Sequence, residues 1–353
     1  MNQVYKQLAI RIDEIPNGFP ETESGIELKL LAKLFTPEEA ELACQLSTEP
    51  QSAKTIAQQT GGDEKNIQNL LKSMKRKGLL GMEKMENELG FKLIPFVVGF
   101  YENQNGRIDK EFAELFEAYY KETFHKIMSI KPSVHRVIPI EKTVPVNVEV
   151  MPYERASFYI DNAKAWGVLP CICRIQKKLI GEGCNHTVEN CIVLSSKPNV
   201  FDKVENIRAL SREEALEILD NSNKEGLVHS TNNVREGVTY ICNCCSCSCG
   251  ILRGMAEFGH LNAVGRSDFI AEVDESLCTG CSICVDRCNF HALTIKDNIC
   301  TLDTVRCYGC GLCVSTCPTG ALHLKLKPAS EIELPPTNES DWMNERSKSR
   351  MNN

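Results

Sequence analysis

Eight cysteines near the end of the chain fall into two copies of one spacing. Cys278-x-x-Cys281-x-x-Cys284-x-x-x-Cys288 returns at an offset of 29 as Cys307-x-x-Cys310-x-x-Cys313-x-x-x-Cys317-Pro318. Ala292-Leu293 returns at the same offset as Ala321-Leu322. In all there are 19 cysteines in 353 residues, and every one except Cys44 lies between positions 171 and 317. Residues 1–11 lack a basic segment followed by an apolar one, so no secretory leader is expected and the chain is read as cytoplasmic. In that compartment disulfides are the poorer reading of such a count and metal the better one.

The spacing has a chemical reason. An iron–sulfur cube presents four iron corners, each needing one soft thiolate. Two-residue gaps let one tight loop wrap three corners, and the fourth ligand must come from elsewhere. Tandem four-cysteine runs closed by a proline are far more specific than the paired Cys-x-x-Cys of a zinc site. Over residues 267–327 the chain resembles the bacterial two-cluster [4Fe–4S] ferredoxins. That resemblance implies crossed ligation: Cys278, Cys281, Cys284 and Cys317 for cluster one, and Cys288, Cys307, Cys310 and Cys313 for cluster two. Glycines at 280, 309 and 311 would let backbone N–H groups approach sulfur. One departure stands out: Asn289 follows Cys288 where the family usually has proline. Cys300 aligns with Ala271 and reads as a small buried residue, not a ligand.

Nine more cysteines occupy the middle: Cys171, Cys173, Cys184, Cys191, Cys242, Cys244, Cys245, Cys247 and Cys249. Side chains alternate in extended chain. Cys171 and Cys173 then point together, as do Cys242 and Cys244, with Cys245, Cys247 and Cys249 on the opposite face. Residues 171–191 would form a second hemisphere. A third [4Fe–4S] cluster, a structural zinc and a reactive dithiol or persulfide site all remain open here. His186, His229 and His260 are possible ligands, but a lone histidine is more often a surface or core residue; Arg174 could place positive charge by a cluster, and a surface arginine is the stronger reading.

The fold expected is α+β and multidomain. Thr36-Pro37-Glu38-Glu39 starts a helix with a capping box. A second helix spans 52–60, and a third, capped by Asp63, carries Ile67, Leu70, Leu71 and Met74 on one face. Strands at 79–84 and 91–94 follow. That order is winged-helix-like over residues 1–100. An amphipathic helix is expected over 109–128 and extended chain over 131–150, so that 101–150 is helix plus linker. A Cys-rich middle domain covers 151–266, with one clear helix over 211–221. The ferredoxin-type domain is 267–327, and 328–353 is a disordered tail.

Charge narrows the function. Residues 1–150 hold 19 basic against 22 acidic side chains, and the whole chain has a formal charge of −7. A reading helix contacts bases at its N-terminal end, which here is Asp63-Glu64-Lys65-Asn66. DNA binding is therefore the weaker reading of the N-terminal module, and docking to a protein or a homodimer the stronger. No apolar run reaches the length of a membrane span, and no P-loop or G-x-G-x-x-G is present. The whole chain resembles a sparsely characterised group of anaerobe proteins that place a Pro-Cys-x-Cys-Arg … Cys-Asn-Cys-Cys region before a two-cluster domain. The matching residues are Pro170–Arg174, Gly183-Cys184, Cys191 and Cys242–Gly250. The resemblance implies an electron-transfer protein serving a partner oxidoreductase. A redox-responsive winged-helix regulator and an iron–sulfur oxidoreductase with its own active site are the alternatives.

Overall fold

The computed structural model describes residues 3–86, 88–146 and 149–352. The chain divides after Ile127 into two compact units.

The first unit opens with helices α1 (Gln3–Asp13), α2 (Ile26–Leu34) and α3 (Pro37–Cys44). Thr36 and Glu39 form the reciprocal capping box that starts α3. Strand β1 (Gln51–Ser52) leads into α4 (Ala53–Thr60), capped by Ser52, and α5 (Glu64–Arg76), capped by Asp63. β2 (Leu80–Lys84) and β3 (Leu89–Leu93) form a hairpin, and β1 adds to β3 in a sheet of order β1-β3-β2. Asn87 lies outside the described residues. Helix α6 (Lys110–Glu122) is shorter than the expected 109–128 helix. Thr123 leaves helical geometry and a 3₁₀ turn, Phe124–Ser129, follows. Its apolar face is covered inside the unit by an aromatic cluster: Phe96 lies 5.9 Å from Phe116 and 5.5 Å from Phe124, and Tyr101 stacks on Phe116 at 4.2 Å. That face is filled, so α6 is a packing helix of its own unit.

The second unit runs from Met128 to the C-terminus and corrects three expected boundaries. Segment 131–150 is not simply linker, because β4 (His135–Val137) sits inside a sheet. The sheet also takes β5 (Ala165–Pro170), β6 (Glu189–Ser195), β7 (Arg208–Leu210), β8 (Val228–Asn232), β9 (Tyr240–Cys244) and β10 (Val264–Gly265). Its order is β10-β4-β8-β9-β6-β5-β7, with only the β10–β4 pair parallel. Helices α7 (Ala156–Asn162) and α9 (Arg212–Glu225) cover one face, packing Tyr159, Ile160, Ala215 and Leu219 on Val168, Ile192 and Ile241. Helix α9 has the expected Ser211/Glu214 capping box but continues to a left-handed Gly226. Helices α8 (Ile172–Leu179) and α10 (Gly250–Ala256) each begin immediately after a cysteine, Cys171 and Cys249.

Residues 267–327 fall within this second unit. They form two hairpin-like sheets, β11 (Phe269–Val273) with β14 (Leu322–Leu326) and β12 (Leu293–Lys296) with β13 (Ile299–Leu302). Short helices α11 (Ile283–Arg287) and α12 (Leu312–Thr316) occupy equivalent places in the two repeats. Polar links join them to the segment that follows β4. The Ile140 amide donates to Cys310 O at 3.0 Å, and Tyr153 Oη donates to Asp268 at 2.9 Å. Beside that tyrosine, the buried Arg136 pairs with buried Glu154.

The tail is the third correction. Residues 339–351 form helix α13, capped by Asn338. Buried Trp342 donates to Ser133 O at 2.9 Å, and buried Arg346 donates to Ile130 O and Pro132 O at 2.6 Å. A polar segment is held here by one aromatic anchor and charge-assisted bonds to backbone.

Candidate metal centres

The two repeats close around two cavities. One is lined by Cys278, Cys281, Cys284 and Cys317. The other is lined by Cys288, Cys307, Cys310 and Cys313. Each therefore gathers three cysteines of one run and the last cysteine of the other. The geometry follows from the short helices: α11 and α12 each end on the residue before the fourth cysteine, carrying it away from its own loop. Gly280 and Gly309 take left-handed φ values of 67° and 69°, and a Cβ at either would collide with the carbonyl of Asn298 or Phe269. Only glycine permits both the turn and the close approach.

Backbone N–H groups already face sulfur. Cys300 N donates to Cys278 Sγ, and Ala292 N donates to Cys288 Sγ, each at 3.3 Å. Burial raises the thiols of Cys288, Cys310 and Cys313 above their ordinary value. These side chains are costly as bare thiolates and suit a site where metal supplies the compensating charge.

Cys300 lies closer to this chemistry than its alignment with Ala271 suggests. It is buried, lines the first cavity, and has Sγ 3.5 Å from Cys284 Sγ. The first cavity already has four cysteines without it. Cys300→Ala is expected to leave the iron content of the purified protein unchanged; loss of about four irons would show that Cys300 is a ligand.

The nine middle cysteines divide in a way the alternation argument did not anticipate. Six form a closed ring of thiol contacts. Cys171 meets Cys173 and Cys191, Cys191 meets Cys242, Cys242 meets Cys244, Cys244 meets Cys249, and Cys249 meets Cys173. The strand end β9 presents Cys242 and Cys244 as alternation requires. After Cys244 the chain turns, and the Cys249 amide donates to Cys245 O at 3.0 Å. That turn swings Cys249 to the side of Cys242 and Cys244, not to that of Cys245 and Cys247. Within the ring Cys171 is pulled below its ordinary pKa by hydrogen bonds from Cys173 and Cys191. Cys244 is pulled down to about 6 by bonds from Cys242 and Cys249.

The other three cysteines form a second set. Cys184, His186, Cys245 and Cys247 place one ligand atom each so that all four lie within 4.8 Å of one another. Cys184 therefore leaves the 171–191 hemisphere expected for it. Cys184 Sγ is 3.9 Å from Cys245 Sγ and 3.4 Å from Ser248 Oγ. His186, a possible ligand by sequence that a lone histidine's base rate weighs against, belongs to this set. The available signal was that Cys184-x-His186 and Cys245-x-Cys247 share the same two-residue spacing.

Arg174 is not on the surface. It is 2% exposed, donating to Asn190 Oδ1 (2.8 Å), Thr187 O (2.9 Å) and Asn243 O (2.9 Å). Burial alone would lower its pKa, but the charges of Cys171, Cys245 and Cys244 raise it. A fixed buried cation between the ring and the second set compensates thiolate charge on both.

Asn289 acquires a reason as well. Its Oδ1 accepts from Ser246 N (3.0 Å) and Ser246 Oγ (3.2 Å), and its Nδ2 donates to Gly226 O (2.8 Å). Next to it, Arg287 donates to Asn223 O and Lys224 O. Asn289 and Arg287 therefore satisfy the open carbonyls at the end of α9. A proline at 289 would keep the turn and lose all three side-chain bonds. His229 is buried, paired with Asn243 Oδ1 at 2.6 Å, and held neutral by burial with a pKa near 4. His260 stacks on Phe258.

No helix among the described residues is long and apolar enough to cross a membrane. No curated protein matches the sequence significantly. Residues 277–321, which hold both runs and both cavities, match the family model described as a 4Fe-4S dicluster domain, so this segment is similar to iron–sulfur ferredoxins and points to an electron-transfer role.

Proposed function

We propose that the chain transfers single electrons to or from a partner oxidoreductase of anaerobic metabolism, using two [4Fe–4S] clusters ligated crosswise and a third iron–sulfur centre in the six-cysteine ring. The observation that carries this reading is the lining of the two cavities, three cysteines from one run and one from the other in each. Bound clusters supply reversible one-electron chemistry whose potential follows charge, hydrogen bonds to sulfur and exposure.

The chain's own residues do the rest. Cys278, Cys281, Cys284 and Cys317 hold the first cluster, and Cys288, Cys307, Cys310 and Cys313 the second. The amides of Cys300 and Ala292 donate to thiolate sulfur, which favours the more negative, reduced state. Six ring thiols are more than the four a third cluster needs, and the ring connects to the second cluster by a short route. Cys288 is bonded to Asn289, whose side chain accepts from Ser246, two residues past Cys244. The N-terminal unit is read as a winged-helix-like docking module. Its helix, strand, helix, helix and hairpin order supports that reading, and the acids Asp63 and Glu64 at the start of α5 weigh against DNA phosphates.

The test is a reductive titration of the anaerobically purified protein. Reversible uptake of about three electrons per chain, one per cluster, is expected. Uptake of none, or reduction only with irreversible loss of colour, contradicts the proposal.

A further inference from the structure

We infer that Cys184, His186, Cys245 and Cys247 form a mononuclear zinc site, separate from every iron–sulfur centre of the chain.

The argument is geometric. A tetrahedral zinc with Zn–S bonds of about 2.3 Å places its sulfurs roughly 3.8 Å apart. Cys184 Sγ and Cys245 Sγ are 3.9 Å apart, and all four candidate ligand atoms fall within a 4.8 Å span. A single tetrahedral ion fits that separation. Three thiolates and one imidazole are also an ordinary closed zinc set.

The surroundings fit a metal-bound histidine and a net negative centre. Glu225 Oε2 lies 3.7 Å from His186 Nδ1. A carboxylate beside a ring nitrogen orients a metal-bound imidazole and raises its basicity. Glu225 is itself fixed, accepting from Thr187 N at 2.8 Å and from Thr187 Oγ1. Ser248 Oγ is within reach of both Cys184 and Cys247 sulfurs, at 3.4 and 3.9 Å. Three thiolates on a divalent ion leave one excess negative charge, and the buried Arg174 interacts with Cys245 to offset it. Cys247 is exposed, so the ion has a way in, while Cys245 is buried.

The site would do structural work at a sensitive place. It ties the 181–188 loop to the turn after β9, and that turn holds Ser246, the partner of Asn289 beside the second cluster's Cys288. A zinc here fixes the contact between the ring segment and the second cluster's loop without itself changing oxidation state.

The test uses the full chain, isolated anaerobically with zinc and iron in the medium. Both metals are counted, and Co²⁺ is used as a spectroscopic probe in zinc-depleted protein. About one zinc per chain is expected, with tetrahedral cobalt bands and thiolate-to-cobalt charge transfer on substitution. Cys247→Ser and His186→Ala should each weaken zinc retention by at least about 100-fold, more than loss of an outer partner costs, with iron content unchanged. Unchanged iron also reports that the variants fold. Glu225→Gln should weaken it about 10- to 100-fold. Protein without zinc and without a tetrahedral cobalt spectrum overturns the inference. So does a Cys247→Ser protein that loses about four irons, because those residues would then belong to an iron–sulfur centre.

Discussion

Replacing Cys317 by Ser removes the cluster held by Cys278, Cys281 and Cys284 and spares the other, although Cys317 belongs to the second run. Cys317 lines the first cavity and is absent from the lining of the second. Its sulfur lies 3.6 Å from Thr319 Oγ1, and hydrogen bonds to Thr319 side chain and backbone offset the upward push of burial, leaving its thiol below the ordinary value. With three thiolates left, the first site exposes an iron corner, and the expected result is loss of about four irons or conversion to a three-iron cluster. The second cluster's electron paramagnetic resonance signal is expected to persist. The mirror variant, Cys288→Ser, should do the reverse. Loss of the second cluster alone in Cys317→Ser refutes crossed ligation.

The second large effect concerns the ring. Six thiols around one centre tolerate single substitutions, because two are spare for a cubane. Replacing Cys171, Cys173 and Cys191 together by Ser leaves only Cys242, Cys244 and Cys249. Iron is then expected to fall from about twelve to about eight per chain, with both signals of the C-terminal clusters retained. Retained twelve-iron stoichiometry excludes the ring as a cluster site. Loss of all iron shows instead that the substitutions unfold the unit, and the complementary replacement of Cys242, Cys244 and Cys249 by Ser then separates the cases by whether about four irons are lost while the C-terminal signals hold.

The repeat was legible because ligand spacing is local chemistry: four cysteines within eleven positions state what they bind before any folding is considered. The capped helices were legible for the same reason, since Thr36, Ser52, Asp63 and Ser211 act on residues three positions away. What failed was long-range. Strand β4 is three residues long and means nothing until β8 and β10 flank it. Helix α13 is mostly polar and is held by Trp342 and Arg346 against backbone about 200 residues earlier. Arg174 looks like any arginine until Thr187, Asn190 of β6 and Asn243 of β9 are brought around it. The partition of the middle cysteines turns on one reversal of chain direction after Cys244, which ended the alternation that had placed Cys249 with Cys245 and Cys247. The odd residue Asn289 marked a real difference between the repeats, but the partner Ser246 that explains it lies 43 positions away.

Iron and acid-labile sulfide counted together on protein purified without oxygen bear most directly on the whole account. Three [4Fe–4S] clusters predict about twelve of each per chain. Eight of each would leave the six-cysteine ring without a cluster and contradict the proposed third centre; four or fewer would contradict the crossed pair as well.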